Sequence, residues 1–160
     1  HTMAIPQRFI LVDDNEADNV YHEIMIRRAG FTGEVLVFES GADALDFLGS
    51  DPLTEPTCLF LDINMPQMDG FEFARLAQPL LQDKPTMLVM MLTSSDAASD
   101  KALAAEQPLI RGFLTKPLTV DLVRELQQAG WLQLRRGKLE VLDLAALKAA
   151  ALTGQIPTSS

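Results

Sequence analysis

The sequence lacks the features that would place it in several large protein classes. It contains a single cysteine, Cys58, so no disulfide can form within the chain, and a reducing cytoplasm is expected. Because Cys58 lies in an apolar run, we expect a small buried side chain there rather than a catalytic thiol. No apolar run reaches the roughly 18 residues of a membrane span, and no signal peptide follows Met3. A globular cytoplasmic protein without membrane segments is therefore predicted.

Basic side chains are also scarce. The chain has 13 lysines and arginines against 22 aspartates and glutamates, which gives a net charge of −9. Because phosphate contacts require clustered lysine and arginine, nucleic acid is not an expected partner of such an acidic chain. An acidic surface suits a divalent cation instead. Residues 131–160 are the exception, with four basic and two acidic side chains.

Short apolar runs alternate with longer amphipathic segments along the chain. Strands are predicted at residues 9–12, 35–38, 58–61, 87–92 and 110–114. Helices are predicted over about residues 16–29, 97–106 and 119–129, and two more begin near residues 41 and 70. Five strands that alternate with five helices predict an α/β fold, in which a doubly wound parallel sheet is covered on both faces.

Several residues carry more specific expectations about the helices. Asn15 is expected to cap the first helix, His22 to lie on its surface, and Asp69 to have a structural role at a turn. Pro79 is expected to end or kink the third helix. The apolar stripe of the first helix is expected to contain Ala17, Val20, Tyr21 and Ile24.

Charged and hydroxyl side chains follow four of the five predicted strands. Asp13 and Asp14 follow the first strand, Asp62 the third, Thr93 the fourth and Lys116 the fifth. Because ligands of doubly wound folds bind beyond the carboxyl ends of the strands, these side chains are expected to share one pocket. Two carboxylates about 4 Å apart repel by on the order of 4 kcal/mol at an effective dielectric of about 20. The cluster therefore needs a proton, a nearby positive charge or a bound cation.

The chemistry of this pocket suits phosphoryl transfer. Hard oxygen ligands at an open site favour Mg²⁺, or Mn²⁺ in its place, and Lys116 supplies a fixed positive charge. A carboxylate can act as a covalent nucleophile, and the rest of phosphoryl transfer is mainly alignment and charge neutralisation. Thr93 can donate a hydrogen bond to a phosphoryl oxygen.

The residues around these positions form longer motifs. They are Val12-Asp13-Asp14, LDINMPQMDG at residues 61–70, Leu92-Thr93-Ser94 and Phe113-Leu114-Thr115-Lys116-Pro117. Over about residues 8–129 the sequence resembles the receiver family of two-component response regulators, in particular its stand-alone chemotaxis type. The resemblance implies a flavodoxin-like sheet with strand order 2-1-3-4-5. It also implies a phosphorelay protein that receives its phosphoryl group from a sensor histidine kinase or a phosphotransfer protein. Such a protein is not an enzyme, apart from its intrinsic autophosphorylation and autodephosphorylation.

The same resemblance assigns roles to the acidic residues. Asp62 is the implied phospho-acceptor. Asp14 is the more direct metal ligand, and Asp13 acts partly through water. Asp62 and the backbone carbonyl of Asn64 complete the Mg²⁺ site. Asn64 and Ser95 occupy variable positions that tune the lifetime of the phosphorylated state in the family.

A switch is implied as well. Lys116 and Thr93 bind the phosphoryl group, and a cis bond joins Lys116 to Pro117. Thr93 and Phe113 form the switch pair, in which the hydroxyl moves toward the phosphoryl group and the ring turns inward. The surface of the fourth helix, fifth strand and fifth helix then changes its affinity for an unidentified downstream protein. The family's usual Gly-Ala pair before the fifth strand is replaced by Leu-Ile at residues 109–110, so a different and more apolar turn is expected.

Other functions remain open from the sequence. A haloacid-dehalogenase-like phosphohydrolase also places a nucleophilic aspartate, a hydroxyl and a lysine at strand ends. That family has a second aspartate where this chain has Asn64, and its metal-binding acids come last in the chain rather than first. A DNA-binding regulator would use the basic turn at residues 135–138. A degenerate receiver that serves as a scaffold is the weakest alternative, because every acceptor-site residue is present.

The chain is expected to divide into a receiver domain at residues 4–129 and an extension at residues 130–153. Residues 1–3 resemble a tag remnant, and residues 154–160 are expected to form a mobile tail. Alternation over residues 131–142 predicts a β-hairpin, which precedes a helix capped by Asp143. Residues 120–152 are similar to the end of a winged helix-turn-helix of the cyclic-AMP-receptor type, but no separate recognition helix precedes them. Because an isolated hairpin is marginally stable, we expect it to pack on the receiver or to form a homodimer.

Overall fold

The computed structural model describes residues 6–128, in which five β-strands alternate with five α-helices. The predicted extension and both predicted terminal segments lie outside the described residues. All strand pairs are parallel, and their order, β2-β1-β3-β4-β5, confirms the predicted flavodoxin-like sheet. The elements are β1 (Arg8–Val12), α1 (Glu16–Arg28), β2 (Glu34–Phe38), α2 (Gly41–Ser50), β3 (Thr57–Leu61), α3 (Gly70–Leu81), β4 (Met87–Thr93), α4 (Ala98–Ala105), β5 (Ile110–Thr115) and α5 (Val120–Gln128).

The sheet separates two hydrophobic cores, because successive side chains of a strand point to opposite faces. Strands β1, β3 and β4 are buried along their whole length, as expected for continuously apolar strands of a parallel sheet. One core joins Phe9 and Phe60 of the sheet to side chains of α1 and α5. The other joins Ile10 and Leu59 to side chains of α2, α3 and α4.

Cys58 lies in β3 and is fully buried. Burial raises the pKa of its thiol above the usual range, because low-dielectric surroundings disfavour the thiolate. The expected small buried side chain is therefore confirmed.

The helices at the carboxyl edge of β1, β2 and β3 begin at capped residues. Asn15, Ser40 and Asp69 each accept the backbone N–H three residues later, at 3.0, 3.1 and 2.8 Å. The predicted cap at Asn15 and the structural role of Asp69 are confirmed. None of the helices within residues 6–128 has the length and apolarity needed to cross a membrane.

Helix α1 presents a different face to the sheet from the predicted one. Its buried residues are Asn19, His22, Met25 and Ile26. The predicted stripe lies outward: Val20, Tyr21 and Ile24 are 54%, 45% and 43% exposed, and Ala17 is exposed too. The predicted stripe and the predicted surface position of His22, which is 3% exposed, are therefore wrong.

The inward face of α1 can be partly polar because it meets the polar end of β1. The Asn19 side-chain amide donates to the Asp13 carbonyl at 2.8 Å, so its burial is compensated by a hydrogen bond. The sequence prediction for α1 used only the spacing of apolar residues, and it therefore identified the wrong face of the helix as buried.

Pro79 does not end α3, which continues to Leu81. Proline lacks one N–H, but it lies in the last turn, where little helix remains to be disrupted. The next bond of the ladder is intact, since Gln82 N–H donates to the Gln78 carbonyl at 2.9 Å. The predicted helix end at Pro79 is therefore wrong, whereas the kink that was predicted as the other possible effect of this proline stays a prediction.

The segment before β5 is apolar, as the Leu-Ile pair predicts. Ile110 is 4% exposed, and Leu109 packs partly buried against the core under α2, α3 and α4. A backbone bond from Ile110 N–H to the Gln107 carbonyl, at 3.1 Å, shapes the turn.

A partly buried ion pair between Arg8 and Asp51 stabilises the opposite edge of the sheet. Arg8 is 3% exposed; its Nε donates to Thr57 Oγ1 at 2.9 Å, and its Nη2 lies 3.2 Å from Asp51 Oδ2. Burial alone would raise the pKa of Asp51, but the hydrogen bond from Arg8 keeps that pKa below its usual value.

Replacing this arginine is expected to destabilise the fold. Arg8→Met removes the hydrogen bonds to Thr57 and to the partly exposed Asp51 carboxylate and is expected to lower the free energy of unfolding by about 2 kcal/mol, measured by urea denaturation. Arg75→Met is the control, because Arg75 is 65% exposed and its loss is expected to change stability by less than about 0.5 kcal/mol. Equal stability of the two variants would contradict a structural role for the ion pair of Arg8 and Asp51.

Candidate functional site

The ends of β1, β3, β4 and β5 meet at one edge of the sheet. Asp62 donates its backbone N–H to the Val12 carbonyl at 3.0 Å, and Lys116 donates its backbone N–H to the Thr93 carbonyl at 2.8 Å. These bonds continue the parallel register past the strand ends. The side chains of Asp13, Asp62, Thr93 and Lys116 consequently share one pocket.

Three carboxylates of this pocket could hold a metal ion together. Asp13, Asp14 and Asp62 each offer an oxygen, and these oxygens lie within 4.8 Å of one another. Asp13 and Asp62 are 5% and 6% exposed, whereas Asp14 is exposed, so the cluster opens to solvent on one side. Hard oxygen donors at an open site fit a divalent cation that keeps part of its water shell.

Lys116 is the cation of the pocket. Its Nζ lies 2.7 Å from Asp13 Oδ2, 2.7 Å from Asp18 Oδ2 and 3.6 Å from Asp62 Oδ1. Burial alone would lower the pKa of Lys116, but hydrogen bonds to Asp13 and Asp18 and the charge of Asp62 raise it to about 12. The side chain therefore stays charged throughout the physiological range.

The carboxyl of Asp62 has a raised pKa. Burial is the main cause, and the nearby charge of Asp13 adds to it, because both disfavour the ionised form. The charge of Lys116, the Ile63 N–H and the Thr93 hydroxyl oppose the rise by stabilising the carboxylate. A bound divalent cation would act in the same direction, so the pocket favours a cation next to Asp62.

Asp18 is a site residue that the sequence analysis missed. It lies in the first turn of α1, and its carboxylate contacts Lys116 Nζ at 2.7 Å. Its place in the first turn of the helix that follows the predicted ligands Asp13 and Asp14 was the available signal, because that turn lies at the same edge of the sheet.

His22 and Asn19 were also missed as neighbours of the site. With Asp13 and Asp62 they supply the polar lining of a cavity of about 10 Å³ beneath the pocket. Burial lowers the pKa of His22, and the positive charge of Lys116 lowers it further, against the acids nearby. A neutral imidazole is therefore favoured at neutral pH.

The remaining predicted residues lie around the pocket. Phe113 is 1% exposed and belongs to the core under α2, α3 and α4. Asn64 is exposed in the loop after β3. The Lys116–Pro117 bond is cis, as expected. Ser95 Oγ donates to Asp100 Oδ2 at 2.6 Å at the start of α4.

Comparisons with known proteins agree with this geometry. Residues 9–128 match the family model described as the response regulator receiver domain. The response regulator MprA of Mycobacterium ulcerans is 31% identical over 147 residues, which cover 91% of this chain and 57% of that protein. The MprA protein of Mycolicibacterium vanbaalenii is 30% identical over 73% of this chain and 47% of its own length. The chain thus spans about half the length of the curated relatives it matches.

Solved structures show the same fold. A response regulator receiver protein from Dyadobacter fermentans is 34% identical, with a TM-score of 0.68, over 74% of this chain and 93% of that chain. The Mn²⁺-bound form of the response regulator Rcp1 is 25% identical, with a TM-score of 0.60, over 80% of this chain and 96% of that chain.

Proposed function

Since the chain belongs to the response regulator receiver domain family of two-component signalling, we propose that Asp62 accepts a phosphoryl group from a sensor histidine kinase or a phosphotransfer protein in the cytoplasm. The convergence of Asp13, Asp14, Asp62 and Lys116 at one sheet edge is the observation that carries the proposal. Members of this family are phospho-acceptors in signalling rather than classical enzymes. We extend the proposal to slow intrinsic autophosphorylation and autodephosphorylation.

The transfer uses the Asp62 carboxylate as nucleophile. One of its oxygens attacks phosphorus, and the new P–O bond forms as the P–N bond of a phosphohistidine breaks. The imidazole nitrogen leaves with the electron pair of that bond and takes up a proton. Lys116, 3.6 Å from Asp62 Oδ1, supplies positive charge beside the transferred group, and the Thr93 hydroxyl donates to one of its oxygens.

The residues present fit a divalent metal. We propose that Asp13, Asp14, Asp62 and the backbone carbonyl of Asn64 hold Mg²⁺, with Mn²⁺ as a substitute. When bound, the ion neutralises charge on the phosphoryl oxygens. The mutual distance of the three carboxylate oxygens supports this, as does the Mn²⁺-bound form of the similar protein Rcp1.

The switch is proposed to pair Thr93 with Phe113. The Phe113 ring is buried here, which is the orientation that the family resemblance assigns to the phosphorylated state. We propose that a phosphoryl group on Asp62 increases the population of this inward position. The surface of α4, β5 and α5 would then change its affinity for a downstream protein.

The alternative functions are not favoured. A haloacid-dehalogenase-like phosphohydrolase conflicts with the family match and with Asn64 at the position of its second aspartate. The basic turn that a DNA-binding regulator would use lies outside the described residues.

The proposed function is tested by incubating the chain with Mg²⁺ and a small phosphodonor such as acetyl phosphate. Mass spectrometry is expected to show one acid-labile phosphoryl group per chain, and EDTA is expected to prevent its appearance. Sustained release of phosphate from a phosphomonoester without a covalent species would instead indicate a phosphohydrolase.

We also propose that residues 4–129 form the receiver and that residues 130–153 form an extension packed on it. Gln127, near the end of α5, lines a cleft of about 310 Å³ together with Pro6, Phe31 and neighbouring loop residues. Trp131 follows four residues later, within reach of the cleft because an extended chain spans about 3.5 Å per residue. Docking there would bury the indole.

The single tryptophan of the chain makes this packing measurable. We expect Trp131 fluorescence to be quenched by acrylamide several-fold less than in the urea-unfolded chain, because the indole is shielded from water. Thr32→Arg, at the cleft, is expected to raise the quenching, whereas Thr54→Arg at another exposed position is not. Quenching as strong as in urea would contradict the packing, and shielding that is lost on dilution would point to a homodimer.

A further inference from the structure

Asp18 holds Lys116 through a network at the start of α1. Lys116 Nζ lies 2.7 Å from both Asp18 Oδ2 and Asp13 Oδ2. The Asp18 N–H donates to Asn15 Oδ1 at 3.0 Å, and the Asn15 N–H donates to Asp13 Oδ1 at 2.9 Å. These four residues form a closed ring of hydrogen bonds and ion pairs, which fixes the Asp18 carboxylate beside the lysine.

The ammonium group has only three N–H donors to distribute. Its two short contacts are with Asp13 and Asp18, while Asp62 Oδ1 lies at 3.6 Å, beyond hydrogen-bond distance. A phosphoryl group on Asp62 brings up to about two negative charges and three strong acceptor oxygens. One N–H of Lys116 is left for these oxygens, and a second becomes available only when an acidic neighbour releases the ammonium group.

Of the two carboxylates that contact Lys116 closely, Asp18 is the one that can release it at the lower cost. Its side chain is 37% exposed, whereas that of Asp13 is 6% exposed, so water can replace the ammonium group at Asp18 at little cost. Asp13 also faces the predicted metal position, where its charge is needed in both states.

We propose that Asp18 competes with the phosphoryl group for Lys116 and thereby disfavours the phosphorylated state. The inference rests on the proposed phospho-acceptor function. Asp18 is a positioning residue, because it acts through Lys116 and does not touch the transferred group. The ion pair forms before phosphorylation and weakens when Lys116 turns to the phosphoryl group, so its free energy opposes the switch.

Beryllofluoride with Mg²⁺, a mimic of the phosphoryl group, tests this competition without a kinase. Asp18→Asn removes the ionic competitor, and we expect it to bind beryllofluoride about twofold to fivefold more tightly than the wild type in a ¹⁹F NMR titration, the range set by a partly exposed ion pair. Asp18→Glu keeps the charge and is expected to restore wild-type affinity.

Glu23→Gln is the matched control, because it removes one negative charge from the same helix but from a residue that pairs with Arg27 at 3.8 Å. Its affinity is expected to equal that of the wild type. Unchanged or weaker binding by Asp18→Asn, or equal tightening in the control, overturns the inference and leaves the proposed function standing. A wild-type chain that neither binds beryllofluoride nor becomes phosphorylated overturns both.

Discussion

Asp62→Asn is expected to abolish acid-labile phosphorylation by acetyl phosphate and Mg²⁺, with a loss of more than about 100-fold. The amide has nearly the same shape as the carboxylate but lacks its negative charge, so it cannot attack phosphorus. Asp13 is not expected to take over, because Lys116 Nζ at 2.7 Å from its Oδ2 and the Asn15 N–H at 2.9 Å from its Oδ1 stabilise its negative charge and make it a weaker nucleophile. Mass spectrometry of the intact chain measures the effect.

Asp46→Asn provides the control for this experiment. Asp46 is an exposed aspartate of α2, and its replacement is expected to leave phosphorylation at the wild-type level. Peptide mapping after borohydride reduction locates the acyl phosphate. A modified residue other than Asp62 in the wild-type chain would refute the assignment of the acceptor.

Lys116→Arg is expected to reduce the response to beryllofluoride by about tenfold while the protein stays folded. The side chain is 12% exposed and holds two carboxylates, each at 2.7 Å from one nitrogen atom. A planar guanidinium keeps the charge but cannot concentrate it at one point in so small a space. Backbone amide shifts in α4, β5 and α5, followed by NMR as beryllofluoride is added, measure the response.

Lys84→Arg, at an exposed position between α3 and β4, makes the same chemical change away from the pocket. It is expected to respond as the wild type does. A normal response from Lys116→Arg would mean that only the charge of Lys116 matters, and its proposed point contact with the phosphoryl group would have to be abandoned.

The sheet and most of the pocket were predictable because both follow from strong, local patterns. Mostly apolar runs of four to six residues mark buried parallel strands, and the polar residues that follow these runs mark the functional edge. Asp13, Asp62, Thr93 and Lys116 were found by this rule, and the structure brings them together.

The errors arose where tertiary contacts override the pattern. Asn19 and His22 are polar residues that α1 buries, because the end of β1 offers Asn19 a hydrogen bond. Asp18 looks like an ordinary acid in the first turn of a helix, where the dipole favours it. Only the folded chain reveals that it lies beside Lys116, which is 98 residues away in sequence.

The burial of Cys58 makes its thiol a probe of how often the sheet opens. A thiol that is buried and has a raised pKa resists alkylation, so a reagent modifies it only when the sheet separates at β3. Because no other cysteine is present, the labelling rate reports how often the buried strand β3 becomes exposed. A ligand that stabilises the fold is thus expected to slow the alkylation of the Cys58 sulfur, and that rate can be measured directly.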